Sequence, residues 1–248
     1  MKTHTKEFLE TLTPQLAFEV LKDGNKRFIN NLKMNRNLLQ QLDEIQDGQH
    51  PFAVVLSCMD SRTSTELIFD QGLGDIFSIR IVGNVVNDDI VGSMEYACNV
   101  IGSKLIVVLG HSRCGAIAGA VDGTEMGNLT GLLEKIKPAI EQAKTNDHSQ
   151  HAILNEKVAY SNVLNSMDEI LERSSIIRTL YKEGKIGIVG GMYSVENGKV
   201  HFTKKMFSNA EPQKTWLQII ALQLNSLKQN FYGNKTNNIT TIQIFHKS

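Results

Sequence analysis

Four short apolar runs mark the first two hundred residues of the chain. They span residues 52–56, 76–82, 105–109 and 186–189. Their unbroken Val, Ile and Leu character, without polar alternation, is typical of strands buried on both faces of a parallel sheet. We therefore predict a strand at each run.

Helical periodicity fills the stretches between these runs. Thr13 and Pro14 form a cap followed by proline at the first helical position, and apolar residues then recur at near-helical spacing as far as Phe28. Further helices are predicted over residues 89–101, 115–121, 129–144 and 152–182. Strands that alternate with helices predict an α/β fold.

A turn signal follows the last apolar run. Asn197-Gly198 separates residues 192–195 from residues 199–202, which predicts a hairpin and an antiparallel strand at the edge of the sheet. The predicted fold is α/β, with a mostly parallel central sheet of about four parallel strands plus an antiparallel edge strand. Helices flank this sheet, with an N-terminal helical arm and a C-terminal helical extension.

The chain divides in character near residue 207. We predict one α/β domain over residues 1–207, which includes the N-terminal arm, and a C-terminal extension and tail of unknown function over residues 208–248. Within that extension, apolar positions from Trp216 to Leu227 recur at helical spacing. We expect this amphipathic helix to pack on the domain or on a sister subunit.

Composition narrows the classes of partner. Lys plus Arg equals Asp plus Glu at 26 each, so no basic excess is available for nucleic acid. Three cysteines in 248 residues cannot form a disulfide framework, which indicates a reducing compartment. No run approaches about 18 apolar residues, and the N-terminus lacks the apolar core of a signal peptide. We expect a cytoplasmic protein with neither nucleic acid nor a membrane as partner.

Three side chains could form a metal site. Cys58 and His111 follow the first and third apolar runs, so both lie beyond the carboxyl ends of predicted parallel strands, where α/β sheets bind ligands. Cys114 begins a helix rich in Gly and Ala, and a helix N-terminus favours a thiolate. Two thiolates and one imidazole make a three-ligand zinc set with its fourth position free, which is typical of a catalytic site.

Each feature has a simpler interpretation when taken alone. A buried cysteine after a strand is more often an apolar filler, and we interpret Cys98 in that way. Asp60 and Arg62, just after Cys58, could form a loop salt bridge that caps the next helix.

Two motifs together carry a resemblance. Residues 58–62, CMDSR, with residues 111–115, HSRCG, resemble the paired signature of the β-class carbonic anhydrases, and the likeness extends over roughly residues 17–202. The resemblance implies that Zn²⁺ is held by Cys58, His111 and Cys114. It implies reversible hydration of carbon dioxide to bicarbonate and a proton by a zinc-bound hydroxide, oriented by an Asp60 and Arg62 dyad.

The same resemblance implies a substrate pocket and an assembly. Gln49 resembles the substrate-facing glutamine of the family, while Phe77, Val82 and Tyr96 resemble its apolar pocket wall. The likeness also implies a homo-oligomer, a dimer or higher, in which the N-terminal helix embraces a neighbour and the active site lies near the subunit boundary.

Two positions depart from the family pattern. Met59 replaces a frequent serine, and we expect its side chain to point away from the metal. Val55 stands where bicarbonate-regulated members carry tryptophan. This difference predicts the unregulated form, in which Asp60 pairs with Arg62 and leaves the fourth zinc position to water.

The sequence alone leaves three rivals open. One is a related zinc lyase or hydrolase that acts on carbon disulfide or carbonyl sulfide. Another is a non-catalytic binding protein that zinc only stabilises, although such a protein has no use for an oriented open position next to Asp60 and Arg62. The third is a thiol redox enzyme that uses Cys58 and Cys114.

Overall fold

The computed structural model of the protein describes residues 4–144 and 151–208. These residues belong to the first of two compact units, Met1–Ala210. The second unit, Glu211–Ser248, lies outside the described residues, and so does the helix predicted in it. The division of the chain at residue 207 stays a prediction.

A five-stranded sheet forms the centre of the described part of the chain, with the strand order β2-β1-β3-β4-β5. The strands are β1 Ala53–Ser57, β2 Ile76–Arg80, β3 Leu105–His111, β4 Gly187–Tyr193 and β5 Val200–Met206. Strands β1 to β4 pair in parallel, and β5 runs antiparallel to β4. The predicted mostly parallel sheet with one antiparallel edge strand is confirmed.

The central strands are buried on both faces, as their apolar character predicts. Every residue of β1 and β3 is buried, and in β4 only Met192 is partly exposed. Strand β2 is different, and the prediction of burial on both faces is wrong there. Within the described part of the chain it pairs with β1 alone, and its residues Ser78 and Arg80 are exposed. An edge strand has one covered face, so alternation replaces full burial.

Strand β2 is also shorter than the apolar run that predicted it. The run continues to Val82, but the strand ends at Arg80. The chain then turns, because Gly83 and Asn84 both have left-handed backbone angles, with φ of 68° and 44°. A strand cannot pass through such angles.

Ten α-helices lie among the described residues. They are α1 Lys6–Thr11, α2 Pro14–Ile29, α3 Leu38–Ile45, α4 Thr65–Ile68, α5 Asp88–Glu95, α6 Gly115–Val121, α7 Gly127–Glu134, α8 Lys137–Lys144, α9 His151–Arg173 and α10 Ser175–Lys182. Helix α2 begins as predicted, since the Thr13 hydroxyl accepts a hydrogen bond from the backbone N–H of Leu16 and Pro14 follows the cap. Within residues 4–144 and 151–208, none of these helices has the length and apolarity to cross a membrane.

Two of the predicted helices are interrupted, and a third changes its helical form. The stretch 129–144 breaks between α7 and α8, because Pro138 lacks an N–H and its ring crowds the carbonyl four residues earlier. The stretch 152–182 breaks at Ser174, whose hydroxyl accepts from the N–H of Ile177 at 3.0 Å and so caps α10. The stretch 89–101 continues past α5 as a π-helical turn over Tyr96–Ile101.

Two buried apolar clusters pack helices against the sheet. The larger one packs α5, α9 and α10 against the strands, through residues such as Met94, Val163 and Ile177. The second lies where β1 and β3 end, and it includes Ile117 and Ile136. Burying a side chain of this size contributes roughly 1.5–3 kcal/mol, so the helices hold the strand ends firmly in place.

Candidate metal centre

Cys58, His111 and Cys114 meet at one end of the sheet. Cys58 follows β1, His111 is the last residue of β3, and Cys114 is the residue that precedes α6. Because β1 and β3 are parallel neighbours, their carboxyl ends lie side by side. One ligand atom from each of the three residues lies within 4.8 Å of the other two. The group is buried, with 4%, 1% and 6% of the three residues exposed.

One hydrogen bond fixes which ring nitrogen of His111 carries the proton. Its Nδ1 lies 2.9 Å from the carbonyl oxygen of Ser112. A carbonyl can only accept, so Nδ1 carries the proton and Nε2 presents a lone pair. This Nε2 is buried and has no hydrogen-bond partner among residues 4–144 and 151–208. Buried polar atoms without a partner are rare, and a metal ion would satisfy this one.

The two thiols have opposite protonation tendencies. The pKa of Cys58 is lowered to about 4, chiefly because the Cys114 thiol donates a hydrogen bond to it, with the backbone N–H groups of Asp60 and Gly83 assisting against the effect of burial. The pKa of Cys114 is raised, because its thiol donates to Cys58 and because burial and the neighbouring negative charge oppose a second thiolate. A bound cation would allow both thiols to ionise, so the three residues could hold a metal ion.

Asp60 and Arg62 form a forked ion pair next to this cluster. The guanidinium donates from Nε to Oδ1 at 2.9 Å and from Nη2 to Oδ2 at 2.7 Å. The backbone N–H of Arg62 also donates to Oδ1, at 3.0 Å. These bonds, led by the one from the Arg62 side chain, hold the pKa of the Asp60 carboxyl well below its usual range. The carboxylate is therefore ionised at neutral pH and can only accept hydrogen bonds.

Two residues that sequence reasoning missed hold the loop that carries Cys58. The Thr63 hydroxyl lies 2.8 Å from the carbonyl oxygens of both Cys58 and Asp60. Arg80, the last residue of β2, donates to the same two carbonyls at 3.2 and 2.6 Å. Arg80 pairs in register with Ser57, which places it beside the loop. No side-chain spacing in the sequence signals contacts to backbone carbonyls.

The end of the neighbouring strand β4 and the residues just after it hold the loop from His111 to Cys114. The N–H of Ser112 donates to the carbonyl of Tyr193 at 2.9 Å, and the Ser112 hydroxyl accepts from the N–H of Val195 at 3.0 Å. Arg113 has a left-handed φ of 54°, a conformation uncommon for this residue type. These contacts hold the loop between the two ligands in one conformation.

The four predicted pocket residues do not line one common groove within a single chain. The rings of Phe77 and Tyr96 lie 6.4 Å apart in an edge-on arrangement, and both line a surface groove of about 560 Å³. Val82 lies in the turn after β2, and Gln49 is exposed; neither lines this groove. The three candidate metal ligands do not line it either. The substrate-binding roles of these four residues stay predictions.

The two positions that depart from the family pattern lie in ordinary surroundings. Met59 is 58% exposed, so its side chain lies outside the buried cluster. Val55 is fully buried in the middle of β1.

Comparison with known proteins identifies the family of this chain. The family profile described as "Carbonic anhydrase" matches residues 53–200. Carbonic anhydrase 2 of Mycobacterium tuberculosis is 34% identical over 194 residues, which cover 75% of this chain and 91% of that protein. The chain therefore belongs to the β-class carbonic anhydrases, a family whose general reaction is the hydration of carbon dioxide.

Solved structures of this class have the same fold. The structure of the β-carbonic anhydrase CafA of Aspergillus fumigatus has a TM-score of 0.62 at 25% identity, covering 76% of this chain and 88% of that one. A structure described among two tetrameric β-carbonic anhydrases of Sordaria macrospora has a TM-score of 0.58 at 26% identity, covering 76% and 94%.

Proposed function

We propose that this protein catalyses the reversible hydration of carbon dioxide to bicarbonate and a proton at a zinc ion held by Cys58, His111 and Cys114. The observation that carries the proposal is the buried Nε2 of His111, which has no hydrogen-bond partner among the described residues and belongs to a side chain that forms one compact group with Cys58 and Cys114. Membership of the β-class carbonic anhydrases supports the reaction.

The donor set favours zinc among the divalent ions. Thiolate and imidazole ligands suit a borderline-soft cation, and three protein ligands are the number found in catalytic zinc sites. When bound, zinc lowers the pKa of a water molecule and so supplies a hydroxide nucleophile.

Asp60 would orient the attacking oxygen and would not store its proton. Its pKa is held well below the usual range, first by the hydrogen bond from Arg62, so it is a weak base at neutral pH. A carboxylate that can only accept would take a hydrogen bond from the nucleophile and aim its lone pair at the substrate carbon. Arg62, which binds both carboxylate oxygens, would fix the direction of that acceptor.

The substrate is small and apolar, so it needs no charged anchor. We propose that Phe77, Val82 and Tyr96 form the apolar wall that admits carbon dioxide, and that Gln49 donates a hydrogen bond to bicarbonate. The groove between Phe77 and Tyr96 is lined mainly by carbon and lies next to the exposed edge strand β2.

A second copy of the chain would complete this pocket. We propose a homo-oligomer, a dimer or higher, with its active site near the subunit boundary. Three features support it: Tyr96 is 51% exposed, β2 has a free edge among the described residues, and the related Sordaria macrospora enzymes are tetrameric. A cytoplasmic location also stays a prediction.

Stopped-flow hydration of carbon dioxide by the purified protein, with zinc quantified in the same sample, tests the proposed function. We expect about one zinc ion per chain and rapid hydration. A zinc-loaded protein that leaves carbon dioxide unchanged but hydrolyses carbon disulfide or carbonyl sulfide would favour the related activity. A zinc-free protein that forms a disulfide between Cys58 and Cys114 would favour the redox alternative.

A further inference from the structure

A tight turn lies directly beside the sulfur of Cys58. It is closed by a hydrogen bond from the N–H of Asn84 to the carbonyl of Ile81 at 3.0 Å, and its residues Gly83 and Asn84 have φ of 68° and 44°. A left-handed conformation costs a residue other than glycine roughly 1–2 kcal/mol. Asn84 bears this cost, whereas Gly83 does not because it lacks a Cβ, so contacts from outside the turn help to hold Asn84 in place.

The turn contributes one hydrogen bond to the candidate metal centre. The N–H of Gly83 donates to Sγ of Cys58 at 3.3 Å. A larger residue would be strained here by the backbone angle, and its Cβ would press on Ile136 Cδ1 at 3.1 Å. Glycine therefore suits the turn that brings this N–H to the sulfur.

Helix α9 supplies the outside support. Asn162 donates from Nδ2 to the carbonyl of Gly83 at 2.9 Å, and the Ser166 hydroxyl donates to the carbonyl of Asn84 at 3.3 Å. The two residues are four apart, so they lie on one face of the helix. Each is only 3% exposed. Burying an amide or a hydroxyl costs free energy unless it is hydrogen-bonded. The hydrogen bonds to the turn therefore explain why these two polar side chains can be buried here.

We infer that Asn162, supported by Ser166, is a positioning residue for the metal centre: it fixes the turn so that the Gly83 N–H stays directed at the sulfur of Cys58. The inference rests on the proposed function in one respect, the role of Cys58 as a ligand. An N–H donor at a thiolate withdraws electron density from the sulfur, so the thiolate donates less to its metal. Losing Asn162 would free the turn and weaken the hydrogen bond from the Gly83 N–H to the Cys58 sulfur.

Replacement of Asn162 in the holoenzyme and in the cobalt(II)-substituted protein tests this role. Asn162→Leu keeps a similar volume but removes the donor to the Gly83 carbonyl. Ser166→Ala removes the longer hydrogen bond, to the Asn84 carbonyl. We expect the sulfur-to-cobalt charge-transfer absorption of Asn162→Leu to move to longer wavelength, because a thiolate without its N–H partner holds its electrons less tightly. Zinc release to a chelator should accelerate on the order of 10-fold, because a turn without Asn162 no longer holds Cys58 in place, and this loss of positioning outweighs the stronger donation by the bare thiolate. Ser166→Ala should shift both readouts in the same direction by less.

Asn25 provides the matched control. It is also a buried asparagine, and its amide donates to the carbonyls of Ile68 and Gly198, neither of which belongs to the metal centre. Asn25→Leu should lower the midpoint of urea unfolding but leave the cobalt absorption and the rate of zinc release unchanged.

The outcomes separate positioning from general packing. If Asn162→Leu has the wild-type absorption and zinc release, or if Asn25→Leu changes both equally, the positioning role is refuted. If Asn162→Leu does not fold, Ser166→Ala decides by the same two readouts. Wild-type protein that binds cobalt without hydrating carbon dioxide would refute the proposed function alone, since the spectroscopic comparison does not use turnover.

Discussion

The guanidinium of Arg62 binds both carboxylate oxygens of Asp60, from Nε to Oδ1 at 2.9 Å and from Nη2 to Oδ2 at 2.7 Å. The carbonyl of Asp60 in turn accepts from Arg80 at 2.6 Å, so the residue is held at its side chain and at its backbone. A carboxylate held in this way keeps its direction and its charge. It is suited to orient a nucleophile beside the cluster of cysteine and histidine ligands.

Replacing Asp60 should separate turnover from metal binding. Asp60→Asn keeps the shape of the side chain but replaces an acceptor oxygen with a donor. We expect zinc content near that of the wild type and hydration slower by roughly 10–100-fold, as for other residues that orient a metal-bound reactant. Metal analysis and stopped-flow assays on the same preparation measure both.

Asp23→Asn is the control for Asp60→Asn. Asp23 pairs with Lys26 on α2, so the change removes an ion pair outside the metal centre. It should leave both zinc content and turnover unchanged. Parallel losses of zinc and activity in Asp60→Asn would show that Asp60 is mainly structural.

Replacing Cys114 should abolish metal binding. Cys114→Ser removes one of two sulfurs and leaves an alcohol that does not ionise near neutral pH, so the chain should purify with little zinc. Cys98→Ser is the matched control, because Cys98 is equally buried but lies outside the cluster. Retention of a full equivalent of zinc by Cys114→Ser would contradict the ligand set.

Activity should increase toward alkaline pH. Two thiolates cancel the charge of Zn²⁺, whereas neutral imidazole ligands would leave it at +2, so less charge remains here to acidify water. We expect kcat for carbon dioxide hydration to rise between about pH 7 and pH 9. A rate that is already at its plateau near pH 6 would contradict this charge argument.

A buried ion pair away from the metal centre should make the free energy of unfolding depend on pH in the acid range. Asp70 is 4% exposed and binds Arg27 and Arg36. Burial opposes its charge, but the hydrogen bonds from the two arginines and from the N–H of Met34 prevail and lower the pKa. A lowered pKa in the folded state stabilises the protein above the unfolded value of about 3.9, and this contribution is lost as the pH falls toward the folded value.

Asp70→Asn tests this linkage. Leaving two arginines without their carboxylate should lower the free energy of unfolding near pH 7 by roughly 3–5 kcal/mol. The difference from the wild type should shrink below about pH 4, because Asp70 takes up a proton there in the unfolded chain and, at still lower pH, in the folded protein. Urea unfolding at several pH values measures it, and a difference that does not change with pH would refute the linkage.

The strands of the sheet and the convergence of the ligands illustrate what sequence patterns can predict. Unbroken apolar runs identified β1, β3 and β4, and the position of Cys58 and His111 after such runs placed both at one end of the sheet. Whether a strand lies at the edge or in the centre of a sheet depends on how many strands pair with it. Local composition does not encode this number. The alternating burial of β2 was therefore missed, along with the turn at Gly83 and Asn84.

The supporting contacts of the site could not be predicted for a related reason. Thr63, Arg80 and Asn162 act on backbone carbonyls, and any residue offers such a carbonyl, so no motif marks the partner. Their positions become meaningful only once the strands are assembled and α9 lies against the turn.

Titration of metal-free protein with zinc tests the central claim most directly. Chelated and desalted protein would receive increasing fractions of an equivalent of Zn²⁺, with the rate of carbon dioxide hydration measured at each step. The account predicts a rate near the uncatalysed one at the start, a linear rise and a plateau at one zinc ion per chain. Full activity before any zinc is added, or a loaded protein that remains inert in alkaline buffer, would contradict it.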